Sequence, residues 1–295
     1  MIQHKTKNLL KYLIIFIVIS VNLPLLAQIN TAKTINDKYL KIEKISNRVI
    51  IVGSGSIYYT SVICIKTDKG LIAIDAGSSP VMTANYRKII EQEFRRNDFV
   101  YLINTHGHYD HTTGNQAFSD VPIIAHENCE KEIVEFWVDS TRSNRFVYNA
   151  EERLKKSQAQ YEQDSEWWNF YESLLLQNST LMEIIDTDFK VVYPSIIFSD
   201  RLNLQMGDIT LQLIYFGEAH TTSDILIYIP EEKILFIGDL FDKGGEPDFD
   251  LTNKDKRWLE VMDYILQQEI EKVIYGHGLV FTKEDLILFN SNIIK

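Results

Sequence analysis

The chain predicts an α/β fold in which helices cover sheets. Short β-branched runs recur in two separate halves of the 295 residues. Helical periodicities lie between and beside them, and 45% hydrophobic with 12% aromatic content supplies a sizeable core. The same composition, at 24% charged residues, excludes disorder as the main state.

The first segment reads as an address rather than as part of that fold. Lys5, Lys7 and Lys11 form a basic start, no acid precedes Asp37, and the apolar run 12–21 has signal-peptide length. Asn22 and Pro24 break the run, and cleavage after Ala27 is expected, giving a signal peptide over 1–27. A retained membrane anchor is the alternative, for which the run is short. Absence of a Cys after the run counts against lipid attachment. The expected product is periplasmic or secreted and spans 28–295, with 27 basic and 41 acidic residues for a charge of −14. So acidic a chain is not built for nucleic acid, and no stable membrane partner is expected.

Residues 49–52, 61–65 and 71–74 read as strands, with Lys69 and Gly70 turning between the last two. Met82, Tyr86, Ile89, Ile90 and Phe94 follow Pro80 at helical spacing. Strands are expected again at 101–103 and 123–124, then a polar helical stretch from 127 to about 180. Five strands follow, at 196–198, 202–205, 209–215, 224–229 and 233–237. Trp258, Val261, Met262, Ile265 and Leu266 mark an amphipathic helix, and 273–275 a last strand. Two Cys cannot build a disulfide framework or a four-thiolate zinc site. Cys64 reads as buried strand filler and Cys129 as a helix start. A bridge between them stays open in an oxidising compartment, without support from their spacing.

Chemistry concentrates in His106-Gly107-His108-Tyr109-Asp110-His111, directly after the strand that ends near residue 104. In extended chain, residues i, i+2 and i+4 share a side. His106, His108 and Asp110 are therefore expected to converge, with a turn at 110–111 swinging His111 around. Three His at these offsets arise by composition in about 0.004 of chains of this length and His content. Imidazole and carboxylate suit a borderline divalent metal, above all zinc.

These residues resemble the metallo-β-lactamase superfamily of metal-dependent hydrolases. His106 to Gly114 matches the family's His-x-His-x-Asp-His-x-x-Gly signature. Leu71 to Gly77 is similar to the strand that ends in Asp, here Asp75, and Ala219-His220-Thr221 with Asp224 to the His-Thr element. Ile237-Gly238-Asp239 resembles the Gly-Asp element, and Tyr275-Gly276-His277-Gly278 the closing Gly-His-Gly. The order holds from about residue 45 to 285. The resemblance implies an αββα sandwich of two mixed β-sheets flanked by helices, with 127–195 as a helical insert or lid. It also implies two zinc ions per chain. His106, His108 and His220 would hold the first; Asp110, His111 and His277 the second; and Asp239 would bridge them. A water activated between the metals would attack the substrate, with Asp110 orienting it or taking its proton as the catalytic residue. Asp75 is expected to position ligands rather than bind metal, and His126 to be structural or positioning.

The expected function is that of an exported dinuclear zinc hydrolase attacking an ester, amide, lactone or β-lactam carbonyl of a small molecule. A β-lactamase proper is one alternative, weakened because such enzymes carry Cys or Ser where Asp239 stands. An iron-dependent oxidoreductase and a non-catalytic metal-binding protein are the others. Substrate information lies in the insert, where nine aromatics fall between Phe136 and Tyr171, including Trp137, Trp167 and Trp168. A lid with an apolar face and ordinary helix packing both account for them. Lys243, in the loop past Asp239, is a candidate partner for a substrate carboxylate.

Overall fold

The computed structural model describes residues 40–53, 60–138, 151–181, 188–240 and 254–293. The signal segment, Lys243, Phe146 and Tyr148 lie outside these residues. The described elements belong to one unit, Lys41–Lys295.

Among the described residues, the first sheet has seven strands in sequential order. β1 (Lys41–Lys44), β2 (Val49–Gly53), β3 (Val62–Thr67) and β4 (Gly70–Ile74) pair antiparallel. β5 (Phe99–Ile103), β6 (Ile123–His126) and β7 (Ile196–Phe198) continue it in parallel. Parallel neighbours need a crossover. Helix α1 (Pro80–Phe94) makes the β4-to-β5 crossing and buries Met82, Tyr86 and Ile90. Pro80 opens it, and the Ser79 hydroxyl accepts from Met82 N at 3.0 Å, capping the first turn. The helical insert is the β6-to-β7 crossing. It contains α2 (Cys129–Val138), α3 (residues 151–158) and α4 (Glu166–Leu181).

The second sheet, among the described residues, has six strands that also neighbour one another in sequential order. β8 (Arg201–Gln205), β9 (Thr210–Tyr215), β10 (Ile225–Ile229) and β11 (Ile234–Phe236) are antiparallel neighbours. β12 (Lys272–Ile274) lies parallel to β11 after α5 (Lys254–Gln267), and β13 (Val280–Phe281) leads to α6 (Lys283–Ile293). The main core is shared by the inner faces of both sheets, with Ile51, Ile63 and Ile74 packed in one cluster with Leu213, Ile227 and Phe236. A second cluster joins Leu226, Leu235 and Val273 to Val261, Met262 and Ile265 of α5 and Leu286 of α6. Helix, sheet, sheet and helix thus stack as the αββα sandwich, both sheets being mixed.

Several boundaries differ from the sequence reading for local reasons. β10 begins at Ile225 because the Asp224 carboxylate is used to accept from Thr221 N at 2.5 Å. β11 is trimmed by left-handed residues at both ends, Lys233 (φ 54°) and Gly238 (φ 53°). Three of the four β1 residues are charged, so no apolar run announces it. Leu266, expected on the buried face of α5, is 46% exposed, while Val261, Met262 and Ile265 are buried. Cys64 and Cys129 are both buried and unpaired.

Candidate metal centre

Both sheets deliver chemistry from strand ends. In register, Ile74 of β4 lies beside Ile103 of β5, so Asp75 emerges next to Asn104 and Thr105. Phe236 of β11 lies beside Ile274 of β12, so Asp239 and His277, each three residues on, emerge as neighbours. Ile225 N donates to Thr105 O at 3.0 Å, joining the two sheets where the His220 loop returns. Parallel strands that end at one edge are the usual seat of α/β sites.

His108 occupies extended chain (φ −62°, ψ 147°), and His106 lies in a bend just before it. Asp110 does not continue that line, because the chain turns helical at Tyr109–Thr112 with His108 as cap. The expected convergence of His106, His108 and Asp110 is therefore corrected. His106 and His108 meet His220, and Asp110 meets His111 and His277, each set offering ligand atoms within 4.8 Å of one another. His106, His111 and Asp239 form a third such set, which places Asp239 between the other two. His220 Nε2 lies 3.0 Å from His108 Nδ1. Asp239 Oδ2 lies 2.9 Å from His277 Nε2 and 3.2 Å from His111 Nε2. Asp110 Oδ2 lies 3.7 Å from His111 Nε2 and 3.6 Å from His277 Nε2.

One buried carboxylate orients an imidazole in each set. Asp75 Oδ1 accepts from Thr105 N at 2.8 Å, and Oδ2 accepts from the Thr105 hydroxyl at 2.8 Å. His111 Nδ1 lies 2.9 Å from the same Oδ2, and His106 Nδ1 lies 3.1 Å from the Thr105 oxygen. With each Nδ1 donating, a neutral ring at either position would turn its Nε2 lone pair toward the centre. Asp75 thus touches no ligand set as a member and fixes two of their rings. His126 does something else. Its Nε2 lies 2.9 Å from Ser199 O and its ring stacks on Tyr215 at 3.7 Å, which ties β6 to the β7–β8 turn and β9.

The electrostatics separate the sets. Burial and the charge of His111 hold His106 well below the usual histidine range, and burial with His220 lowers His108. Burial opposes charge on His111, but Asp239, Asp75 and Asp110 outweigh it and raise the ring well above its usual range. Burial raises Asp239, yet His111 and His277 hold it well below the ordinary carboxyl range. His106 Nε2 and Asp239 Oδ1 are buried without a hydrogen-bond partner. Such orphans cost about 1–3 kcal/mol each. A divalent cation is the partner both lone pairs fit, and five imidazoles with two carboxylates are the donor set zinc takes.

Glycines make the close approaches possible. A Cβ on Gly276 would collide with Asp239 Oδ1 and stand 2.8 Å from His111 Cε1. Two residues beyond the sequence reading also enter. The Thr60 hydroxyl donates to Asp110 Oδ2 at 3.0 Å, and Glu132 binds the loops of His108 and His220. Neither had a signal, since a lone Thr before a strand and a Glu in a polar helix are commonplace. Among the insert aromatics, Phe136 stacks on Tyr109 at 4.9 Å, beside Asp110. Tyr161, Trp167, Phe170 and Tyr171 stack among themselves.

The profile of the Metallo-beta-lactamase superfamily matches residues 56–277. A curated relative, the 2,4-dinitroanisole O-demethylase subunit alpha of Nocardioides sp. (strain JS1661), is 23% identical over 221 residues. That match covers 73% of this chain and 51% of the relative, so the chain spans about half the relative's length. Among solved structures, a metallo-beta-lactamase from Pontibacter korlensis is 18% identical with a TM-score of 0.55, covering 85% of this chain and 97% of that one. The sec-alkylsulfatase Pisa1 from Pseudomonas sp. is 15% identical with a TM-score of 0.61, covering 86% of this chain and 40% of that one.

Proposed function

The chain belongs to the metallo-β-lactamase superfamily of metal-dependent hydrolases, and from that premise we propose that it is an exported dinuclear zinc hydrolase of small molecules. The bond cleaved is an ester, amide, lactone or β-lactam carbonyl linkage. The observation that carries the reading is the meeting of His106, His108 and His220 with Asp110, His111 and His277 around a shared Asp239. Two dications at close quarters need anionic ligands to limit their repulsion, and Asp110 and Asp239 supply them. Zinc held there would supply Lewis acidity toward the carbonyl and water acidic enough to react near neutral pH.

The chain's own groups do the rest. Asp110 would orient the attacking water and take its proton, and the Thr60 hydroxyl donating to its Oδ2 supports that role by fixing the carboxylate. His108 is exposed while His106 and His111 are buried, so substrate approaches over the His108 side. The Tyr109–Phe136 stack offers an apolar surface next to that approach. Export rests on the basic start and the apolar run 12–21; the mature protein should begin at Gln28, read by its mass.

The test is a panel of esters, lactones, amides and β-lactams, run with metal quantification. An aryl methyl ether and a secondary alkyl sulfate join it, because a demethylase subunit and an alkylsulfatase are among the relatives. Cleavage of a carbonyl substrate, abolished by Asp110→Asn, supports the reading. Cleavage of the ether or sulfate alone moves the substrate class. Iron without zinc in unsupplemented protein favours an oxidoreductase instead.

A further inference from the structure

We propose that Glu132 is a positioning residue for the first half of the metal centre, its carboxylate locking the loop of His106 and His108 to the loop of His220. The proposal rests on the reading that these imidazoles bind metal. Glu132 lies outside both loops, on α2, the first helix of the insert. Its Oε2 accepts from Gly107 N at 2.9 Å and from the Ser223 hydroxyl. Its Oε1 accepts from Thr222 N at 2.7 Å and from the Thr222 hydroxyl at 2.6 Å. Four donors from two loops thus occupy the acceptor sites of one carboxylate. Gly107 N also reaches the Ser223 oxygen at 3.1 Å, closing the clamp between the loops.

The glycine between the two histidines supplies an independent observation. A Cβ at Gly107 would stand 2.5 Å from both Cβ and Oε2 of Glu132, and 2.8 Å from Cys129 O. The loop is therefore shaped to take a carboxylate packed against its backbone. The separation of His108 from His220, 3.0 Å between ring nitrogens, is set across this contact. Three ligands drawn from two loops chelate well only if the loops are held before the ion arrives, and outer partners that do this typically govern metal affinity. The same helix touches the first loop a second time through Phe136 on Tyr109, so the insert and the histidine loops are one mechanical unit.

The experiment compares wild type with Glu132→Gln by nuclear magnetic resonance of the histidine rings, first metal-free and then during zinc titration against a competing chelator. Glutamine keeps the shape but offers one acceptor oxygen to four donors. The ring contact between His108 and His220 should weaken in the metal-free variant. Zinc affinity read at His106, His108 and His220 should fall about 10–100-fold, while His111 and His277 titrate as in wild type. An equal loss at both sets together with a lowered Tm would reduce Glu132 to a fold support and overturn the proposal. So would an unchanged ring contact and affinity. Should Glu132→Gln fail to fold, Ser223→Ala with Thr222→Val removes two of the four donors and is read the same way. If wild type takes up no zinc, the proposed function fails, while the metal-free ring contact still decides the clamp.

Discussion

The two halves of the candidate metal centre are held by different means. Asp239 and His277 leave adjacent parallel strands, and His111 is pinned by Asp75, itself at the end of β4. That half inherits its geometry from sheet register. His106 and His108 also follow a strand, but His220 comes from the connection between β9 and β10, where side chains set the position. Thr221 N is capped by Asp224, whose carboxyl is pushed up to about 6 by burial, and Thr222 and Ser223 are gathered by Glu132. The lesson is that a strand-end ligand needs the core intact, whereas a loop ligand needs particular polar partners. Substitutions should therefore weaken the halves in separable ways.

The largest effect is expected for Asp110→Asn. It keeps the shape of a residue beside His111 and His277 but removes the proton acceptor, and turnover in a hydrolysis assay should fall about 10³-fold. Next is Asp75→Ala. Thr105 N, the Thr105 hydroxyl and His111 Nδ1 all lose a buried acceptor, so urea unfolding should show a loss of about 3 kcal/mol, with both ligand sets disturbed. Gly276→Ala places a methyl against Asp239 and His111, costing about 1–3 kcal/mol as overpacking. Its signature is zinc binding weakened most in the His111–His277 half, with a smaller loss at the first set through the shared Asp239, unlike Glu132→Gln.

The smallest effect belongs far from both halves. Arg87, largely covered, makes a two-armed pair with the exposed Asp120, and Asp120→Asn should cost about 1 kcal/mol without changing zinc affinity. The hydrogen bonds from Arg87, aided by its charge, lower the Asp120 carboxyl. Its contribution is therefore complete above the unfolded-state value near about 4 and lost as pH falls through the lowered folded value. Thermal melts of wild type and variant should converge in acid.

The sequence made the strand-end half legible because its residues sit in short motifs beside apolar runs: Asp75 after 71–74, Asp239 after 233–237, His277 between two glycines. The strands were equally readable where they are buried, since β2 and β10 are apolar runs. Two things were hidden for physical reasons. Period-2 spacing put Asp110 with His106 and His108 and fails because a single helical turn begins at Tyr109; only the family signature put Asp110 with His111 and His277. Glu132 and Thr60 stand 25 and 50 residues from the groups they hold, Gly107 and Asp110, and no local pattern encodes such a contact. The aromatic insert was legible in composition only. Phe136 reaches Tyr109, while Tyr161, Trp167, Phe170 and Tyr171 pack on one another.

Five histidines and two aspartates are proposed to form one two-metal centre. Its most direct test is the zinc content of purified, zinc-loaded protein after removal of loosely bound ion. A two-metal centre gives two equivalents per chain and cleavage of a substrate in the panel. Under one equivalent, with nothing in the panel cleaved, would contradict it.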